Sequence, residues 1–97
     1  VELVIRPVAE QDLAEAADWY AQLGERLKER FIARVESTLE RILSKPSLFP
    51  HAKWHLRRAS VHEFPYSIYF RVVGDKAVVF AVLHHSRDLR NLDQRLN

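Results

Sequence analysis

The stretch VHEFPYSIYFRVVGDKAVVFAVLHHSRD, from Val61 to Asp88, decides the fold. Apolar residues alternate on both sides of Gly74 and Asp75: Tyr66, Ile68, Phe70 and Val72 before them, Ala77, Val79, Ala81 and Leu83 after them. A period of two marks strands, whose successive side chains point to opposite faces. The glycine-acidic pair suits a tight hairpin turn. Counting outward from a two-residue turn pairs Val72 with Ala77, Phe70 with Val79, Ile68 with Ala81 and Tyr66 with Leu83, and places all eight on one buried face. The opposite face then carries Ser67, Tyr69, Arg71, Val78, Phe80, Val82 and His84. It is too aromatic and apolar for plain solvent contact, so it is expected to be covered in part or to bind a partner.

Upstream the period changes. VELVI is short, rich in β-branched residues and stopped by Pro7, which predicts a strand from Glu2 to Arg6. Ala9, Leu13, Ala16, Ala17 and Tyr20 recur at helical spacing, with Glu10, Asp12 and Glu15 early in the helix where the macrodipole favours acids. Gly24 interrupts, and a second apolar stripe follows in Leu27, Phe31, Val35, Leu39 and Ile42, ended by Ser44, Lys45 and Pro46. So short a turn makes the two helices an antiparallel hairpin. Leu56 to Val61 adds a further strand. Asp88 to Asn97 carries a weak helical pattern in Leu89, Leu92 and Leu96. The expected fold is α+β: an N-terminal strand, an antiparallel helical hairpin packed on one face of a small antiparallel β-sheet, and a short polar C-terminal tail, in one domain spanning residues 1 to 97.

Composition bounds the chemistry. With 97 residues and 47% of them hydrophobic, the chain can bury one modest core. Having no cysteine, it has no disulfide framework, no thiolate zinc site and no cysteine nucleophile. No apolar run reaches the roughly 18 residues of a membrane span, and VELVIRPVAE lacks the layout of a secretory signal, so a cytoplasmic protein without membrane contact is expected. Charge is divided unevenly: residues 1 to 50 carry seven Lys and Arg against nine Asp and Glu, residues 51 to 97 eight against four. All five histidines, His51, His55, His62, His84 and His85, also lie in the second half. That half is the one an acidic partner or a phosphate backbone prefers.

Local patterns add little chemistry of their own. His51 and His55 have the spacing of helical metal ligands, yet no carboxylate or cysteine adjoins them, so no metal and no cofactor is expected. Arg26, Arg30 and Arg34 repeat along one helix face that is expected to be solvated. Arg57 and Arg58, like His84 and His85, alternate across a strand, so only one of each pair reaches the open sheet face.

The first strand, a helical hairpin ending in KPSLFP, the arginine-bearing LRRASV, then FPYSIYFRV, a hairpin turn and AVVFAVLHHSRD together resemble the RelE/ParE superfamily of toxins, in its ParE-like (plasmid stabilisation) branch. The resemblance spans nearly the whole chain, and FPYSIYFRV and HHSRD are its most specific parts. It implies the toxin of a type II toxin-antitoxin system, which inhibits growth unless a cognate antitoxin holds it inactive. A homodimer or a toxin-antitoxin hetero-oligomer fits that arrangement.

Two mechanisms occur in the superfamily. Members similar to RelE cut messenger RNA on the ribosome with basic side chains on the open sheet face and a histidine or tyrosine near the last strand; such cleavage needs a base, a proton donor and positive charge at the phosphate. His85 matches a histidine of some of these members, but Ser67 stands where they place an arginine and Ser86 where they place a tyrosine. Arg71, His84 and Arg87 are the remaining candidates for a ribonuclease site. The ParE branch resembles inhibitors that trap DNA gyrase on broken DNA, and this is the preferred reading. Arg87, Arg90 and Arg95 in the tail are then the expected target contacts, Asp88 their orienting partner or helix cap, and Arg58, Tyr69, Arg71 and Phe80 the expected antitoxin surface. The tail is expected to contribute little to the core. A nucleic-acid-binding or scaffold domain without toxicity is the remaining alternative.

Overall fold

The computed structural model describes residues 1–87 and 89–96. Strand β1 (Glu2–Ile5) leads into helix α1 (Pro7–Leu23) and helix α2 (Glu25–Ser44), and a short 3₁₀ turn (Pro46–Leu48) precedes strands β2 (Arg57–Ser60), β3 (Tyr66–Val73) and β4 (Lys76–His84); a 3₁₀ segment (Leu89–Leu96) follows. Pro7 stops β1 and opens α1, where its missing N–H and fixed φ are both suitable. Gly24 alone joins the helices, its N–H donating to the Tyr20 carbonyl and its carbonyl accepting from Leu27 and Lys28.

The sheet has the order β1-β4-β3-β2. Its antiparallel part, β2-β3-β4, is extended by β1, which runs parallel to β4 from Glu2 opposite Lys76 to Ile5 opposite Val79. The hairpin turns at Gly74, which takes φ 61, a conformation glycine reaches without steric cost. Val72 pairs with Ala77 and Phe70 with Val79, as the alternation predicts. Beyond them the register shifts: Tyr69 faces Ala81, Ile68 faces Val82, Ser67 faces Leu83 and Tyr66 faces His84. The expected pairs Ile68–Ala81 and Tyr66–Leu83 are therefore wrong. Phe80 is an extra residue in β4, and such a bulge flips every side chain after it to the other face.

The flip sorts the two cores. Ile68, Phe70, Val79 and Val82 pack against the helices with Ala16, Tyr20, Phe31 and Ile42. Phe80, Ala81 and Leu83 lie instead on the opposite face with Leu56, Tyr69 and Leu92. Val82 and His84, expected on the open face, thus turn to the helix side. Tyr20, Phe31, Phe64 and Tyr66 form an aromatic nest with tilted and edge contacts at 5.0–6.1 Å between centroids, each pair adding about 0.5–1.5 kcal/mol to ordinary burial.

The second core overturns the expectation for the tail. Leu92 is 3% exposed and, with Leu89 and Leu96 beside it, covers Tyr69 and Phe80. Arg95 reaches back across the sheet to Asp12 of α1, with Nη1 2.6 Å from Oδ2 and Nη2 3.1 Å from Oδ1. Arg6 donates to the Arg95 carbonyl and lies over the Phe80 ring at 5.0 Å. An amphipathic tail so short is stable only where its leucines find an apolar sheet face, and the bulge supplies one. Among the described residues, no helix is long and apolar enough to cross a membrane.

Candidate functional site

The polar end of the sheet forms around the exit of β4. His85 follows the strand directly, and its N–H donates to the Pro65 carbonyl at 2.8 Å. Its Nε2 lies 3.0 Å from Oγ of Ser67, a buried residue of β3. Ser60 pairs with Ser67 across β2 and β3, and Arg58 pairs with Tyr69. These residues and Arg87 line a cleft of about 330 Å³. Its polar lining is guanidinium, imidazole and hydroxyl, a set that favours negative charge.

The predicted ribonuclease residues do not converge. His84 points away from His85, edge-on to Tyr66 at 5.2 Å between ring centroids. Its Nδ1 accepts the Ser86 N–H at 3.0 Å and contacts Ser86 Oγ at 2.8 Å. It lines a second cleft of about 240 Å³ with Asp12, Glu15, Trp19, Tyr66 and Arg87. Arg71 is turned inward: Nη2 donates to the Trp54 carbonyl at 2.6 Å, and the guanidinium lies over Phe80 at 5.5 Å. Arg87 lines both clefts, so each histidine shares a cleft with Arg87 but not with the other histidine.

The expected antitoxin surface is likewise divided. Arg58 is exposed, whereas Tyr69 and Phe80 are 4% and 6% exposed, lying under the chain's own tail. Of the expected target contacts, Arg87 and Arg90 are exposed, while Arg95 is held by Asp12. Asp88, expected to cap or orient the tail, lies outside the described residues.

Burial pushes the hydroxyls of Tyr20 and Tyr66 above the usual tyrosine range, with the positive charge of Arg87 opposing the shift at Tyr66. Two contributors were not legible as such. Ser67 is legible as a residue of the open sheet face and as a departure from an arginine, but not as the anchor of His85 that it is. Asp12 was read for its dipole effect, although its place three residues after Ala9 and four before Ala16, both buried, puts it on the inward face of α1. There its Oδ2 also accepts the Val82 N–H at 2.9 Å. Among the described residues, no group of acidic and histidine side chains is arranged to hold a metal.

The comparisons agree with this architecture. The family model "ParE toxin of type II toxin-antitoxin system, parDE" matches residues 3–89. Among solved structures, the "Chromosomal ParDE TA system from P. aeruginosa" superposes with a TM-score of 0.77 at 17% identity, covering 87% of this chain and 95% of that one. At that identity the likeness is one of fold. No curated protein matches.

Proposed function

We infer the function from one premise: the chain belongs to the ParE toxin family of type II toxin-antitoxin systems. It is accordingly a toxin. A cognate antitoxin neutralises it in the cytoplasm, and its target is DNA gyrase, which it traps with its DNA broken. The observation supporting a poison over a nuclease is the placement of the neighbouring His84 and His85 in two different clefts, with Arg71 held inward on the Trp54 carbonyl. In-line cleavage of RNA needs a base and an acid on either side of one phosphate, and the other acid-base side chain among the described residues of the His85 cleft, Tyr69, is 4% exposed beneath the tail.

Messenger RNA cleavage on the ribosome is the second reading, and what favours it is His85 held by Ser67 beside Arg58 and Arg87. The antitoxin segment is acidic and docks on the basic half of the chain, so its binding weakens with salt. Expression without antitoxin, scored for which response comes first, tests the target: a DNA-damage response supports the gyrase reading, and translation arrest with cut transcripts supports the nuclease.

A further inference from the structure

The arginines on and around the sheet differ in one respect. Arg57 donates to the Phe49 carbonyl at 2.6 Å, Arg71 to the Trp54 carbonyl at 2.6 Å, and Arg95 to Asp12. Each is part of the scaffold. Arg58 and Arg87 are exposed, and neither side chain has an acceptor among the described residues. They come from separate elements, Arg58 from β2 and Arg87 from beyond β4, yet they line the same cleft.

The rest of that cleft complements them. Ser67 engages His85 through Nε2 at 3.0 Å, which fixes the ring and leaves Nδ1 for another partner. Ser60 adds a hydroxyl at the rim, and the buried ring of Tyr69 lies beneath. No carboxylate is among the described residues lining the cleft. The volume, about 330 Å³, is ample for a phosphate with part of its substituents. A planar carboxylate is satisfied by one guanidinium fork, whereas two forks from different directions with a hydroxyl and an imidazole suit a tetrahedral oxyanion.

We propose that the cleft between Arg58, Ser60, His85 and Arg87 binds a backbone phosphate of nucleic acid. This deepens the gyrase reading, on which its biological role rests, by giving the toxin its own grip on the DNA. Binding itself is measurable without gyrase. The two arginines hold the non-bridging oxygens, and Ser67 acts as a positioning residue through His85.

The test is fluorescence anisotropy of the full chain with a labelled DNA duplex, over a series of salt concentrations. Arg58→Gln and Arg87→Gln are each expected to weaken binding about tenfold, and the double variant to lower the slope of log K against log salt by about 0.9, the loss of one phosphate contact. Arg26→Gln, on α2 and outside the cleft, is expected to bind as the parent does. Because the altered residues are exposed, unchanged thermal melts should accompany the loss; Ser60→Ala, which removes only the rim hydroxyl, gives a milder loss in the same direction. Amide and imidazole NMR shifts then identify the ligand. Duplex that moves the His85 and Ser67 signals supports the proposal. Shifts produced only by inorganic phosphate or by an acidic peptide overturn it, as do arginine variants that bind duplex with unchanged affinity and slope. Loss of duplex binding in a chain that still traps gyrase would sink the grip on DNA and leave the gyrase reading standing.

Discussion

Asp12 and Arg95, 83 residues apart, form a two-pronged ion pair that closes the edge of β4 where β1 stops. β1 accompanies β4 only as far as Val79. Beyond it, the Asp12 carboxylate accepts the Val82 N–H, and Arg95 reaches the Phe80 carbonyl at 3.4 Å. Two side chains do there what a longer strand would otherwise do, and they shield an edge that would be open to other chains.

Removing either partner leaves the other charge in a largely desolvated place. Asp12→Ala and Arg95→Ala should each cost about 3 kcal/mol, while the double variant loses less than the sum. Urea denaturation of the four proteins measures the coupling. Purely additive losses would show that the pair contributes nothing of its own.

Deleting the residues after position 88 removes Leu92 from the second core and Arg95 from Asp12. The shortened chain should melt at least 10 °C earlier, since about 1 kcal/mol corresponds to roughly 4–8 °C in a domain of this size. It should also bind an apolar dye through the uncovered Tyr69 and Phe80. A tail serving only as a target contact would leave the melt unchanged.

Glu63, in the turn between β2 and β3, has φ 71 while its carboxylate meets Arg34 at 2.6 Å. Glu63→Gly and Glu63→Ala both lose that contact, but only alanine retains a side chain in the left-handed region. The glycine variant should be the more stable by about 1 kcal/mol, and equal chemical denaturation midpoints would contradict the strain.

Stability at alkaline pH follows from the raised hydroxyls of Tyr20 and Tyr66. A folded-state value above the unfolded one, near 10, means a contribution fully present below that value and lost as pH rises through the folded values. The melting temperature should therefore fall above about pH 10, and less steeply in Tyr20→Phe. Phenolate absorbance that develops at the ordinary tyrosine pH without loss of structure would contradict the burial.

Much of this was legible in the chain. The helical stripes, the stop at Pro7, the break at Gly24 and the turn at Gly74 are local signals, and each falls where the structure has it. The bulge at Phe80 was not legible. It depends on Phe80 and Ala81 both finding partners in Leu56, Tyr69 and Leu92, contacts between segments far apart in sequence. That single residue reversed the faces of Ala81, Val82, Leu83 and His84 and so redrew the candidate site. The tail was misjudged for a related reason: its leucines are too few to announce a core contribution, and the surface they cover exists only once the bulge has formed.

The most direct test of the central claim puts the purified chain with DNA gyrase, ATP and supercoiled plasmid, and in parallel with ribosomes programmed with a labelled transcript. Linear plasmid released by detergent and protease, with the transcript intact and His85→Ala retaining the effect, is the predicted result. Intact plasmid, with transcripts cut by the parent chain but not by His85→Ala, would contradict it.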